Sequence, residues 1–346
     1  MSLLGSASAL DTLRETADAA HLDGRVMARL SAVQSIFGPE LAYIEAEIAK
    51  AASDGERPAT DAARHLVDAG GKRVRPLTVL LSAACFGPLP PAARELAVVA
   101  EFVHTATLLH DDVIDDSPER RGRKAARTVW GNAVSVLAGD LLLTHALDRT
   151  FAAAPTALPE LLTTLRRLVD GEVLQLRGRA KLDVSEVGYF RILEGKTASL
   201  FGWSARAGAI VGGARVSERQ ALGLFGERLG IAFQLVDDAL DYAGDSVETG
   251  KMLLTDLLEG KVTLPLVLAL ARDPALTPLL ARVREGDRAA AEELGHGVRG
   301  MGVCVEVRRR AAAETERALG ALTEVRPSPA RDMLRILATE LTHRSR

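Results

Sequence analysis

Two short runs of aspartate carry the strongest chemical signal in the chain. In LLHDDVIDD, Asp111, Asp112 and Asp115 stand at i, i+1 and i+4, and FQLVDDALD repeats the spacing with Asp237, Asp238 and Asp241. On a helix, at about 100° per residue, each triplet spans an arc of roughly 100°, its first and last members one turn apart. Like charges at i, i+4 repel, so such a face is unfavourable unless something positive lies on it. A hard divalent ion that keeps several waters and binds through one or two carboxylates plus substrate phosphates meets that need, and Mg²⁺ is the natural choice. One such triplet among 46 acidic residues reads equally well as a solvated helix face. Two identical ones, each following an apolar stretch (TATLLH and GIAFQL), do not, because acids set into apolar helices need partners. The helical wheel adds His104, about 20° from Asp111 and roughly 10.5 Å down the axis. It also adds Gln234, about 60° from Asp237, with Gly230 leaving space one layer below. Alone, His104 reads as a core histidine and Gln234 as an ordinary polar residue.

Cations that could answer these carboxylates sit in glycine-containing segments. GGKRVRP supplies Lys72 and Arg75 next to Pro76, and Gly70 and Gly71 suit a backbone that approaches a phosphate closely. ERRGRKAAR follows the first triplet and offers Arg120 and Arg121, with Arg123, Lys124 and Arg127 expected to be mostly solvated. Arginine is the residue suited to bidentate phosphate contact. EGKTAS contributes Lys196 and Thr197, and GKMLLTDLLEGKVTLP contributes Lys251 and Lys261. EGKT is not the end of a phosphate-binding P-loop, because Phe190 stands where that pattern needs glycine and no strand precedes it. The chain has no HExxH, paired CxxC or GxGxxG, so zinc hydrolysis and dinucleotide redox chemistry have no support.

The elements that must position these groups read as helices. Leu96, Val99, Val103, Ala106, His110 and Val113 recur at alternating steps of three and four, one stripe of an amphipathic helix. A helical pattern also runs from Val26 to Ala51, whereas the first 25 residues or so look weakly ordered. Breaks fall at Ser53–Pro58, Gly70-Gly71, Phe86–Pro91, Ser117–Lys124, Ala154–Pro159, Gly212-Gly213, Ala243–Gly250 and Asp273–Pro278, with no alternating β-branched runs between them. Aromatic residues are only 4% of the chain, which favours helix over strand. The 346 residues suffice for a large core, and the expected organisation is a single all-α domain over 26–346 after a weakly ordered 1–25. With 43 Lys and Arg against 46 Asp and Glu, the net charge of −3 argues against a generally basic nucleic-acid binder. Cys85 and Cys304 cannot build a disulfide framework and suit a reducing cytoplasm. The uncharged stretch from Pro76 to Ala93 is too broken by Gly and Pro for a membrane span, and the opening residues carry no secretion signal.

Carboxylates for Mg²⁺ surrounded by Arg and Lys, in an apolar helical shell, describe a site for diphosphate esters of a greasy substrate. At this level the chain resembles the trans-isoprenyl diphosphate synthases. GGKRVRP, EFVHTATLLHDDVIDD followed by RRG, DGEVLQL, EGKTASLF, GIAFQLVDDALDY and DLLEGKVTLPL carry the resemblance, which runs from about residue 25 to 270. HTATLLHDDV and DGEVLQL are most similar to long-chain, octaprenyl-type members. The resemblance implies an all-α isoprenoid synthase bundle around a central tunnel, commonly a homodimer. It implies that Asp111, Asp112 and Asp115 face Asp237, Asp238 and Asp241 and together hold more than one Mg²⁺. Lys72, Arg75, His104 and Arg121 would bind isopentenyl diphosphate. Arg120, Lys196, Lys251 and Lys261 would grip an allylic diphosphate, while Thr197 and Gln234 turn oxygens toward the allylic cation. No nucleic-acid partner is expected, and the greasy product is one that can associate with membranes.

In the family, bulky aromatics four or five residues before the first Asp close the tunnel. Here Thr107 and Ala106 stand there, which implies a long product, with Leu147 either a deeper stop or ordinary core. On a straight helix Thr107 lies about 40° from Asp111 and Ala106 about 140° away. The family usually reads GKPxGxDLxEGK after the second triplet. This chain has Met252 for the Pro and Leu254 for the Gly, and Arg123-Lys124-Ala125 where a proline is common. Two other readings are a class I terpene cyclase, for which Asp241, Gly244 and Glu248 have the spacing but Gly244 lacks the hydroxyl, and a non-catalytic subunit, which usually shows eroded aspartates.

Overall fold

The computed structural model describes residues 24–181, 184–243 and 254–342. The expected weakly ordered opening segment, apart from its last residues, and Lys251 and Met252 lie outside the described residues. By contacts the chain forms two compact units. The first comprises the chain up to Leu161 with Ser204–Leu222 and Glu324–Leu334; the second comprises Leu162–Trp203, Gly223–Thr323 and the chain from Arg335 on.

The longer helices are α1 (Gly24–Ala51), α2 (Ala59–Val67), α3 (Val74–Ala84), α4 (Pro91–Ile114), α5 (Asn132–Ala153), α6 (Leu158–Lys181), α7 (Glu186–Leu193), α8 (Ser199–Val211), α9 (Val216–Ala243), α10 (Leu264–Arg272), α11 (Arg288–Gly300), α12 (Val303–Ala321) and α13 (Pro329–Thr342). The stripe read from the sequence is the buried face of α4. Leu96, Val99, Val103 and Ala106 are all fully buried, and α4 packs chiefly on α5 and α3. Pro91 opens α4 at the one place where its missing N–H costs nothing. Ion pairs fasten α1 to this layer, Arg149 bridging Glu47 and Glu95 while Arg94 meets Glu40. In the second unit Leu193, Leu235, Tyr242, Leu264, Leu294 and Val307 share one apolar core.

Among the described residues the only strands are a two-residue pair, β1 (Glu119–Arg120) and β2 (Arg123–Lys124), in a segment expected to be plain loop. No single described helix is long and apolar enough to cross a membrane. Cys85 in the first unit and Cys304 in the second are buried free thiols, and burial pushes both above the usual thiol range, Cys85 to about 11.

Candidate active site

Among the described residues, Arg73, Asp116, Arg121 and Leu254 have left-handed backbones although they are not glycine, and each lies in or beside a motif singled out above. That conformation costs a side-chain-bearing residue roughly 1–2 kcal/mol, so the surrounding structure must enforce it.

In the first unit the GGKRVRP segment leads into α3, and the pivotal residue is Arg73, which the sequence reading passed over. With φ 52° it turns inward, its side chain only 1% exposed. Its Nε and Nη2 donate to Glu45 at 2.5 and 2.8 Å, and its Nη1 donates to the buried Glu101 of α4. Burial alone would lower the Arg73 pKa, yet Glu101 and Glu45 together push it up. Arg73 thus ties the glycine loop to α4 through the buried Glu101 and to α1 through the more exposed Glu45. Lys72, one residue before it, is exposed, and Arg75, two residues after, is half-buried.

After α4 the chain reverses through the hairpin, with Glu119 paired to Lys124 and Arg120 to Arg123. Its two turn residues, Arg121 and Gly122, have φ of 53° and 71°, the signature of a type I′ turn whose twist suits a tight hairpin. The turn brings Arg121 to Gly71. A methyl group added at Gly71 would lie 3.1 Å from Arg73 Nη1 and 3.2–3.3 Å from the Arg121 guanidinium, so this glycine keeps room beneath two cations. His104 belongs to the same collection. Its pKa is pushed well below the ordinary value by burial first, then by Arg75, Arg121, Arg73 and Arg120. These surroundings favour the neutral imidazole, which can still donate one hydrogen bond from its N–H to an anion.

The first triplet sits where α4 ends. Asp111 is half-buried, and Asp115 is buried at the C-cap, its N–H donating to the Asp111 carbonyl at 2.8 Å. Asp112 is fully buried, and Arg120 Nε and Nη2 both donate to its Oδ1, at 2.7 and 2.6 Å. Burial raises the Asp112 pKa and Arg120 opposes the rise. Ala106 is fully buried, Thr107 is half-buried with its hydroxyl donating to the His104 carbonyl at 2.8 Å, and Leu147 on α5 is half-buried.

In the second unit the site is built on a backbone crossing. Residues Glu194–Ala198 form a π-turn, the irregularity often found where helices carry function. There α6 passes so close that a methyl group on Gly171 would lie 2.7 Å from the Lys196 nitrogen, and one on Gly195 would lie 2.8 Å from the Arg167 carbonyl. Only two glycines allow this contact, and it brings Glu172 to Lys196, whose ammonium it meets at 2.5 Å. Thr197 is buried, and its hydroxyl donates to Gln234 Oε1 at 3.2 Å. Gln234 Nε2 donates to Asp238 Oδ1 at 2.9 Å, while the Tyr189 hydroxyl donates to Asp238 Oδ2 at 2.6 Å. The Asp238 carboxyl is pushed up to about 7, by burial first and then by Asp256, against the pull of Gln234 and Tyr189. Gly230 does not leave open space as expected, because a side chain there would meet the Ala198 backbone at 2.8 Å.

Asp237 is half-buried, one position before the buried Asp238. Asp241 holds the returning chain: its carboxylate accepts the N–H groups of Thr255 and Asp256 at 3.1 and 3.3 Å, and its carbonyl accepts that of Leu254 at 3.0 Å. Leu254, the departure from the family's glycine, takes the left-handed backbone a glycine would take, φ 63°, and buries its side chain over Gly295. Lys261 ends this segment with its ammonium between Glu259 and Asp256. Glu45, Glu101, Glu172 and Tyr189 were all missed by the sequence reading. The Gly171-Glu172 pair inside DGEVLQL was the one local signal available.

Comparison with known proteins places the chain. It belongs to the polyprenyl synthetase family, whose pattern matches residues 56–296. It is 34% identical over 321 residues to octaprenyl diphosphate synthase of Escherichia coli (strain K12), covering 92% of this chain and 99% of that one. It is 40% identical over 263 residues to the all-trans-nonaprenyl-diphosphate synthase (geranyl-diphosphate specific) of Rhodobacter capsulatus, covering 75% and 81%. The crystal structure of a polyprenyl synthase from Caulobacter crescentus CB15, complexed with calcium and isoprenyl diphosphate, matches with a TM-score of 0.85 at 37% identity, covering 90% of this chain and 97% of that one. The all-α isoprenoid synthase fold implied by the motifs is the fold observed, and such relatives favour a diphosphate synthase over a cyclase or an inert subunit.

Proposed function

We propose that this chain condenses isopentenyl diphosphate with allylic diphosphates to build a long all-trans polyprenyl diphosphate. The observation that carries the reading is the collection around Gly71: Arg73 and Arg121 beside the glycine, with Arg75, Arg120 and a neutral His104 in the same electrostatic neighbourhood, next to an intact aspartate triplet. Such a cluster of cations suits a diphosphate. In the proposed reaction the allylic C–O bond breaks, the isopentenyl double bond attacks the allylic carbon, and a proton leaves to the released diphosphate.

Lys72, Arg75, His104 and Arg121 would bind isopentenyl diphosphate. Arg120, Lys196, Lys251 and Lys261 would hold the allylic diphosphate, and the Thr197 and Gln234 oxygens would face the allylic cation. Among the described residues no three His, Cys, Asp or Glu side chains converge as a complete metal site. The donors at both triplets are carboxylates, hard oxygen ligands that suit an ion which keeps waters and takes substrate phosphate oxygens. Asp111, Asp115, Asp237 and Asp241 would hold Mg²⁺, more than one ion per site, with Asp112 and Asp238 behind them. When bound, Mg²⁺ supplies neutralising charge to the departing diphosphate.

Assembly as a homodimer is supported by one exposed apolar stripe on α6, formed by Leu162, Val169, Val173 and Leu176. The buried thiols are consistent with work in a reducing cytoplasm. The test is turnover of the purified chain with Mg²⁺, isopentenyl diphosphate and a short allylic primer, with products separated by chromatography. A chain well beyond farnesyl length is expected. A farnesyl-length product sinks the long-chain reading, and a hydrocarbon or alcohol would mean a cyclase. Thr107→Phe should shorten the product, whereas Ala106→Phe, at a fully buried position, should cost about 1–3 kcal/mol of stability through overpacking. Unchanged product length in both variants would remove this helix from length control.

A further inference from the structure

The hydrogen bonds around Asp238 run in one direction. Its Oδ2 accepts from Tyr189 and its Oδ1 from the Gln234 amide nitrogen, so both oxygens of this fully buried carboxyl are taken by neutral donors. The amide nitrogen of Gln234 being held there, its carbonyl end is left toward Thr197, whose hydroxyl donates to it. An amide rotates easily between its two ends when nothing distinguishes them, and the wrong end would turn an NH₂ group toward the place where positive charge develops. Tyr189 has no part in any motif role described above, yet it is buried in the core in the middle of α7, edge-on to Phe190, with its hydroxyl on Asp238.

We propose that Tyr189 is a positioning residue which, by holding Asp238, fixes the Gln234 amide with its oxygen toward Thr197 and so keeps both oxygens turned to the allylic cation. Asp238 then has a different role from Asp237, orienting a side chain without ligating metal. The inference rests on the reading of Gln234 and Thr197 given under the proposed function. Tyr189 supplies one hydrogen bond to a buried charged-type acceptor, and losing that direction should cost about tenfold in kcat.

The experiment compares Tyr189→Phe, Asp238→Asn, Gln234→Leu and the double variant Tyr189→Phe/Gln234→Leu in steady-state turnover with isopentenyl and farnesyl diphosphates, a Mg²⁺ titration, and thermal unfolding. Tyr189→Phe should lower kcat with both KM values and the half-saturating Mg²⁺ concentration unchanged. The double variant should be no slower than Gln234→Leu. Asp238→Asn should behave like Tyr189→Phe, and it carries the test if Tyr189→Phe does not fold. Multiplicative losses in the double variant, or a raised Mg²⁺ requirement in Asp238→Asn, overturn the relay while leaving the role of Gln234 intact. Normal kcat in Gln234→Leu overturns the underlying reading, and the relay with it.

Discussion

The two aspartate triplets have the same letters at the same spacing, and the protein wires them in opposite ways. In both, the middle aspartate is fully buried while the first is half-buried. Asp112, however, is answered by the guanidinium of Arg120, within a region crowded with arginines, whereas Asp238 is answered by an amide and a phenol. The first region binds its buried carboxylates with charge, as Arg73 also does for Glu101. At its triplet the second answers the buried carboxyl with neutral donors, and its lysine–glutamate pair stands at the glycine crossing instead. Repetition in a sequence thus fixes the angular arrangement of side chains on a helix, but the partners that decide their chemistry come from elsewhere in the chain.

The sharpest test of this contrast is the role the two leading aspartates are expected to share. Asp111→Ala and Asp237→Ala should each lower kcat about a thousandfold, since each would remove charge that, in the proposed site, positions metal against the leaving group. The fold should stay intact in both, because relief of i, i+4 repulsion offsets the lost side chain. Near-normal turnover in either would remove that residue from the metal site and break the symmetry. Next comes the difference in wiring, read as stability. Arg73→Met leaves Glu101 buried without its cation and should cost about 3 kcal/mol in urea unfolding. Lys196→Met, whose pair with Glu172 is partly exposed, should cost about 1 kcal/mol or less. Equal losses would mean that the depth at which an ion pair is buried does not decide its worth.

The last contrast is one of sign. His104 is held below its ordinary value of 6.5, so the stability it contributes is complete above that pH and is lost as pH falls. Asp238 is raised from 3.8 to about 7, so its contribution is complete at low pH and is lost as pH rises through about 7. Between these ordinary values the two groups pull in opposite directions. In metal-free unfolding across that window, His104→Gln should make stability fall more steeply with rising pH, and Asp238→Asn should make it rise. Slopes that move together would contradict the opposing environments.

Much of the helical frame was legible because it is local. The stripe from Leu96 to Ala106 is buried as its spacing demands, and the breaks at Gly70-Gly71 and Phe86–Pro91 separate helices. The hairpin was hidden because arginine rarely adopts the left-handed backbone that Arg121 takes, so Arg-Gly did not read as a type I′ turn. Arg73 was hidden for a different reason. Its partners Glu45 and Glu101 each lie 28 positions away, and a buried ion pair leaves no periodic trace. Tyr189 likewise reaches Asp238 across 49 positions, and only the fold makes that pair visible.

The two cysteines give the molecule a property of use beyond its chemistry. One buried thiol lies in each compact unit, and a thiol-specific reagent can reach it only when that unit opens. Burial also holds both thiols protonated and unreactive at neutral pH while the protein is closed. Timed alkylation therefore turns the native chain into its own two-channel clock. Cys85 reports how often the first unit breathes, Cys304 reports the same for the second, and the ratio of their labelling rates measures whether added substrate quiets one before the other.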